Sequence, residues 1–145
     1  MQTQSSTPRV LARNEGEPMA WFTARMWLKE AAPGLGAVEV LIEPGAEPPM
    51  HVHVREDEWF YVAEGEATFH VGGQTLRAPT GAFVSLPRGV PHTFTVESAR
   101  ARFLMLNAPG GFERMFALAP QTVEDAVGAL NRYGVEVVGP HPRQG

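Results

Sequence analysis

Short apolar segments separated by glycine-containing turns predict an all-β protein, either a sandwich or a barrel. The segments span residues 37–42, 59–62, 67–71, 82–86, 93–96 and 102–106. Glycine occurs in the breaks between them, as in Glu64-Gly65, Thr80-Gly81 and the candidate two-residue hairpin turn Gly72-Gly73. Many short strands at near-even spacing, joined by such turns, are typical of this fold class.

The N-terminal part of the chain is predicted to be a tail followed by one strand. Residues 1–14 are rich in polar side chains and are interpreted as a flexible tail. Residues 20–28 are interpreted as a single strand, in which Trp21 and Trp27 share one face. The two tryptophans would either cover a partner subunit or pack on the chain's own tail, and the sequence leaves both interpretations open.

Beyond Pro109 the pattern changes from strand to helix. A first helix is predicted from apolar residues at helical spacing, Phe112, Met115 and Phe116. A second is indicated by an N-cap, two acidic residues in the first turn and a terminating glycine: Thr122, Glu124, Asp125 and Gly134. Both helices are expected to pack outside the barrel.

The whole chain is interpreted as one folded domain with a tail. Residues 1–14 form the flexible N-terminal tail, residues 15–110 the barrel, and residues 111–145 the C-terminal helices and tail packed on the same domain. A length of 145 residues is sufficient for a single hydrophobic core.

The composition narrows the classes of partner. A hydrophobic content of 43%, a charged content of 19% and a net charge of −4 are ordinary for a soluble globular protein and give no reason to expect nucleic acid. No segment has the length and apolarity of a membrane span, and the N-terminus lacks the features of a secretory signal. We therefore expect a cytoplasmic protein that binds a small-molecule substrate and neither nucleic acid nor a membrane.

Three histidines and one glutamate carry the predicted chemistry. His51 and His53 are two residues apart, so in a strand their side chains point to the same face. Glu58 and His92 supply two further donors, and the chain has no cysteine to compete with them. These residues predict a site for one divalent transition metal, Fe, Mn, Ni, Co, Cu or Zn, held by nitrogen and oxygen.

The spacing around these donors resembles that of the cupin superfamily. Its two blocks are Gly45, His51, His53, Glu58 and Gly65, followed by Gly81, Pro87, Gly89 and His92. One position departs from the family pattern, because Val96 stands where the second block usually ends in asparagine. The resemblance implies a jelly-roll β-barrel with one or two C-terminal helices packed outside, and a homodimer that pairs through its N-terminal strand.

Further roles are assigned to Glu58 and to the apolar residues around the ligands. Glu58 is either a plain metal ligand or also the catalytic base that accepts a proton from the substrate. An apolar substrate pocket is predicted from Phe60, Val62, Phe94, Val96, Met50, Phe83 and Met105. The acidic neighbours Glu56 and Asp57 are interpreted as solvated charges, His70 as a surface residue and His141 as a tail residue without a role.

Three functions from different classes are compatible with these features. Residues 109–116 and 133–140 resemble small single-domain bacterial cupins similar to the flavonol-cleaving quercetinases, which implies a metal-dependent oxygenase acting on an aromatic or enol-type substrate. A non-redox isomerase or lyase is the second hypothesis, and a binding module without turnover is the third. Lys29 is the only lysine of the chain, which disfavours sugar-phosphate substrates.

Overall fold

The computed structural model describes residues 7–143 as a jelly-roll barrel of two antiparallel sheets. The six-stranded sheet contains, in spatial order, β1 (Glu17–Trp21), β2 (Ala24–Ala32), β3 (Leu35–Ile42), β10 (Ala101–Ala108), β5 (Asp57–Glu64) and β8 (Phe83–Leu86). The five-stranded sheet contains β11 (Val135–Gly139), β4 (Met50–His53), β9 (His92–Val96), β6 (Ala67–Val71) and β7 (Gln74–Ala78). The all-β prediction is confirmed, and each of the six predicted segments overlaps a strand.

The C-terminal part contains a 3₁₀ helix (Phe112–Leu118), the helix α1 (Val123–Arg132) and the strand β11. α1 begins as predicted, because the Thr122 hydroxyl accepts a hydrogen bond from the Asp125 amide at 3.0 Å. β11 then pairs with β4, so the last strand completes the edge of the five-stranded sheet. Between residues 7 and 143, no helix is both long and apolar enough to cross a membrane.

The prediction of a single strand over residues 20–28 is wrong. β1 and β2 form a hairpin in which Trp21 pairs with Ala24, and Phe22 occupies the turn with a φ of 55°. The sequence hides this break because the turn contains neither glycine nor proline and the alternation of side chains runs through it. The turn also reverses the parity, so that Trp21 and Trp27 lie on opposite faces.

Trp27 is covered by its own chain. Its ring is 5% exposed and lies beneath two guanidinium groups, with the Cζ of Arg25 at 5.1 Å and that of Arg102 at 5.9 Å from the ring centroid. The burial of Trp27 therefore requires no partner subunit, and the predicted homodimer stays a prediction without support from this residue.

The segment before β1 is attached to the six-stranded sheet by Lys29. Its ammonium group donates to the carbonyl oxygens of Ala12 at 2.8 Å and Glu15 at 2.7 Å, and it pairs with Glu39 at 2.9 Å. The first six residues of the predicted flexible tail lie outside the described part of the chain. The later residues of that tail are exposed but have these fixed contacts.

Four phenylalanines form the centre of the core. Phe60, Phe69, Phe94 and Phe103 come from both sheets, and their ring centroids lie between 5.2 and 6.1 Å apart. Each ring is less than 10% exposed. Edge-to-face and tilted contacts of this kind join the two sheets and fix the floor on which the candidate site is built.

The chain after β11 is fixed to the barrel by His141, contrary to the expectation that this residue has no role. The imidazole is 5% exposed, donates through Nε2 to the Phe94 carbonyl at 2.9 Å, and accepts the Arg143 amide at Nδ1. Arg143 donates to both oxygens of Glu47 at 2.7 and 2.8 Å. Glu47 in turn accepts the Val96 amide at 2.9 Å, which joins the end of the chain to β9.

Two phenylalanine substitutions, one in the core and one at the surface, should have different effects on the free energy of unfolding. Phe103→Ala removes a fully buried ring and should lower the free energy of unfolding by about 3–5 kcal/mol. Phe83→Ala removes a ring that is 61% exposed and should change it by less than about 0.5 kcal/mol. Urea denaturation of both variants measures the difference, and equal losses would contradict this description of the core.

The Glu47 contact predicts a pH-dependent contribution to stability. Burial raises the pKa of Glu47, but the hydrogen bonds from Val96 and Arg143 outweigh burial and hold the pKa below its ordinary value. Ionised Glu47 therefore stabilises the fold above the ordinary carboxyl pKa of about 4.3, and this contribution disappears as the pH falls through the lower, folded-state value. Glu47→Gln should cost about 1–3 kcal/mol at neutral pH and progressively less in acid.

The control for this prediction is Glu43→Gln, which changes an exposed carboxylate in the same loop. Urea denaturation of the wild type and both variants over the acidic range provides the measurement. A difference between Glu47→Gln and the wild type that does not change with pH would contradict the ionic role of Glu47.

Candidate metal centre

The four predicted ligands converge at one point between the two sheets. His51 and His53 lie on one face of β4, and His92 lies on β9 directly opposite His51 in the pairing of the two strands. Glu58 is the second residue of β5, which belongs to the other sheet. The cluster is therefore assembled only when both sheets have formed.

The donor atoms of these residues are close and enclosed. One donor atom from each of the four lies within 4.8 Å of the others. Glu58 Oε1 is 3.2 Å from Nε2 of His92 and 3.5 Å from Nε2 of His53, as expected for two donors that share one ion. His53, Glu58 and His92 are 2–3% exposed, so water does not freely solvate the cluster.

Each histidine is oriented by an acceptor outside the cluster. His51 Nδ1 is 2.8 Å from the Pro49 carbonyl oxygen and His92 Nδ1 is 3.2 Å from that of Val90. A carbonyl oxygen only accepts, so both Nδ1 atoms must carry the proton when these bonds form. The Nε2 lone pairs are then free to face the cluster, which is the tautomer that metal binding requires.

Glu56 is the acceptor that faces Nδ1 of His53. Its interpretation as a solvated charge is therefore wrong. Its side chain is 4% exposed, and Oε1 lies 3.3 Å from His53 Nδ1. Strand parity gives no indication of this contact, because Glu56 lies in the turn before β5 and reaches back three residues. Asp57 behaves as expected and pairs at the surface with Arg88 at 3.2 Å.

The electrostatics of the cluster favour a neutral imidazole at His51, a charged one at His53 and an ionised carboxylate at Glu58. Burial, with the neighbouring His92 and His53, lowers the pKa of His51 to about 4. Burial also lowers the pKa of His53, but Glu58 and Glu56 outweigh it and raise this pKa above its ordinary value. Burial raises the pKa of Glu58, while His53 and His92 lower it further and leave it below the ordinary carboxyl value.

The cluster fits a divalent transition metal. His53 Nε2 is buried without any hydrogen-bond partner, although a buried polar nitrogen is costly to leave unpaired. A cation bound between the three Nε2 atoms and Glu58 would satisfy this nitrogen and neutralise the buried carboxylate. His51, His53, Glu58 and His92 are the residues that would hold it.

A cavity of about 90 Å³ opens next to the four donors, and its wall is almost entirely apolar. Of the residues predicted to line a substrate pocket, Phe60, Phe94 and Met105 lie in this wall. Phe60 and Phe94 belong to the core cluster, so the floor of the cavity is part of the rigid centre of the barrel.

The other predicted pocket residues lie elsewhere. Phe83 is 61% exposed, because it alternates with the inward-facing Val84 on β8. Met50 precedes His51 on β4 and therefore points to the opposite face of that strand. Val62 and Val96 point inward but lie two residues further along their strands than Phe60 and Phe94, where they are packed in the core and outside the cavity wall.

The 3₁₀ helix contributes a part of the wall that the sequence did not reveal. Phe112, Met115 and Phe116 were expected on a helix outside the barrel, but their side chains line the cavity. The Phe112 ring lies 4.5 Å from the His53 ring. Glu113 anchors this segment, because its buried carboxylate accepts the Gly111 amide at 2.7 Å and the Asn107 side-chain amide at 3.0 Å.

Residues 38–107 match the cupin domain family, and this stretch contains all four clustered donors. The structure also resembles an RmlC-like cupin of Shewanella frigidimarina, with a TM-score of 0.63 and 21% identity over 72% of this chain and 93% of the other. Residues 38–107 are therefore a cupin domain, and the chain has the cupin fold. The resemblance stated from the motif spacing is confirmed.

Two further comparisons involve enzymes. The chain is 30% identical over 66 residues to quercetin 2,3-dioxygenase of Bacillus subtilis, a match that covers 46% of this chain and 20% of that enzyme. It also resembles Pac13 of Streptomyces, described as a nucleoside dehydratase, with a TM-score of 0.67 and 14% identity over 95% of this chain and 97% of Pac13. At that identity the likeness to Pac13 shows the fold alone.

Removal of the Glu56 carboxylate should lower the affinity for metal although all four ligands remain. Glu56→Ala leaves the His53 Nδ1 proton without its acceptor and should weaken metal binding by about 10–100-fold. Glu56→Gln retains an acceptor oxygen and should lose less of the metal affinity. Competition with a coloured chelator, using Co²⁺ and the purified protein, measures both affinities.

The matched control is Asp57→Asn, which alters the adjacent carboxylate and its surface pairing with Arg88. This variant should bind Co²⁺ as the wild type does. If Glu56→Ala and Asp57→Asn have the same affinity for Co²⁺, the orienting role of Glu56 is excluded.

Proposed function

We propose that this cupin is a metal-dependent enzyme, and specifically an oxygenase that acts on a small, enol-type or aromatic substrate. The observation that carries the proposal is the convergence of three Nε2 lone pairs and one carboxylate at the end of an apolar cavity. The 30% identity to quercetin 2,3-dioxygenase supports a redox reaction, although the match covers only 20% of that enzyme.

A bound divalent transition metal would supply open coordination positions for a chelating substrate and for dioxygen. The reaction proposed is a dioxygenation, in which both oxygen atoms enter the product and the substrate supplies all the electrons. It therefore needs no further reductant.

Glu58 is proposed to accept the substrate's proton. Its pKa lies below the ordinary carboxyl value because His53 and His92 outweigh the effect of burial, so the carboxylate is ionised at neutral pH. The group lies at the cavity wall, where a hydroxyl of the substrate would meet it. Accepting that proton makes the substrate electron-rich, and the surrounding apolar side chains keep water from competing.

A non-redox lyase is the second candidate, favoured by the similarity of fold to the dehydratase Pac13 over 95% of the chain. The wall of the cavity argues against a nucleoside as its substrate. Within the described residues, the wall contains no Lys, Arg, Asn, Gln, Ser or Thr side chain that would bind a ribose or a base. A lyase built on this site would need a less polar substrate.

Loading the metal-free protein separately with Fe²⁺, Mn²⁺, Co²⁺, Ni²⁺, Cu²⁺ and Zn²⁺ distinguishes these reactions. Each form is incubated with small enols, catechols and hydroxy-ketones while dioxygen and substrate are followed together. An oxygenase consumes dioxygen and substrate in equal amounts and stops under nitrogen. Substrate loss that continues under nitrogen would identify a lyase or isomerase and would overturn the oxygenase.

Glu58→Gln should separate the two roles of this residue. The variant retains three imidazole ligands and should still bind metal, but it loses the proton acceptor, so turnover should fall by about 10²–10⁴-fold. His92→Ala is the comparison, since it should lose metal and turnover together. Metal content by elemental analysis and rate are measured on the same samples, and a Glu58→Gln variant that is fully loaded and fully active would contradict the base role.

A further inference from the structure

The cavity beside the four donors is polar at one end only. His51, His53, Glu58 and His92 form that end, and the remaining wall is apolar apart from the indole of Trp21. Resting on the function proposed above, we infer that the substrate is a monoanionic chelator with two neighbouring oxygen atoms at one end and an apolar body smaller than a phenyl ring at the other.

The size limit follows from the volume of the cavity. About 90 Å³ is available, whereas an apolar protein cavity known to hold benzene measures about 150 Å³. A fused or multi-ring flavonol is far larger than either. A substrate whose oxygens occupy the polar end therefore has room for only a short aliphatic body, which selects the enol-type over the aromatic class of substrate proposed above.

The wall is packed in a way that resists enlargement. The Phe112 ring contacts Phe116 at 5.2 Å and His53 at 4.5 Å between centroids, and Phe116 contacts Trp21 at 5.8 Å. Met115 is 1% exposed, and the segment is anchored by buried Glu113. Admission of a ring would require several mutually packed side chains to move together, which is costly in a dense interior.

The charge of the substrate follows from the donor set. A divalent cation held by one carboxylate and three neutral imidazoles keeps one net positive charge, which a single negative charge on the chelating group would balance. A second acidic group on the body of the substrate would face apolar side chains, since the described residues of the wall provide no cation there. Dicarboxylates and phosphate esters are therefore excluded.

A series of hydroxamates tests the size limit directly. Acetohydroxamate, benzohydroxamate and 2-naphthohydroxamate carry the same monoanionic chelating group on bodies of increasing size. The full-length protein is loaded with Co²⁺, and binding of each compound is followed by the visible spectrum of the ion. Binding of each compound to free Co²⁺, measured in parallel, corrects for differences in the chelating group.

Acetohydroxamate should bind the protein at least about tenfold more tightly than either larger compound after this correction. Phe116→Ala removes a ring from the wall and should bring benzohydroxamate to within about threefold of acetohydroxamate. Val62→Ala is the control, since it removes a buried side chain outside the wall and should leave the ratio unchanged. Met115→Ala provides a second enlarged cavity should Phe116→Ala fail to fold.

The outcomes separate this inference from the proposed function. If the protein retains no Co²⁺, or no hydroxamate changes its spectrum, the proposed metal-dependent function is wrong and this inference with it. If the ion is bound and the larger hydroxamates bind the wild type as well as acetohydroxamate does, or better, the size limit alone is overturned. Turnover is not needed for either conclusion.

Discussion

The site depends on hydrogen bonds that hold three imidazole rings from the outside. Each Nδ1 faces an acceptor away from the cluster, at Pro49, Glu56 or Val90, so each Nε2 lone pair is available to the same point. Because these bonds form on folding, the rings are oriented and shielded from water before a cation binds. What remains is a buried carboxylate and three lone pairs, an arrangement that a cation stabilises.

The parts of this protein that sequence predicts well are those in which the local pattern and the global structure coincide. Strand alternation predicted that His51 and His53 share one face, and the spacing of the two sequence blocks predicted that Glu58 and His92 join them. Capping chemistry located α1 correctly, because Thr122 acts through a contact only three residues away. Short-range rules of this kind are insensitive to how distant segments pack.

The parts that sequence did not predict depend on contacts between distant segments or on turns without a recognisable sequence pattern. Nothing local distinguishes His141 from a tail residue until β9 is placed next to it. Glu56 reaches back only three residues to His53, but the turn that brings it there has no recognisable sequence pattern. The hairpin at Phe22 was hidden because alternation continues across it. Val96, where asparagine is usual in the family, packs its side chain in the core and uses its backbone amide to bind Glu47.

The metal donors and the cavity wall, which would select the substrate, come largely from different segments of the chain. All four donors lie within residues 38–107, the stretch that matches the cupin family. Much of the cavity wall comes from outside that stretch, with Trp21 and Met26 before it and Phe112, Met115, Phe116 and Val135 after it. Val135 also pairs with His53 across β11 and β4, so one strand both supports a ligand and closes the cavity. Because donors and wall belong to separate segments, the wall can diverge without disturbing the cluster, and a shared donor set does not imply a shared substrate.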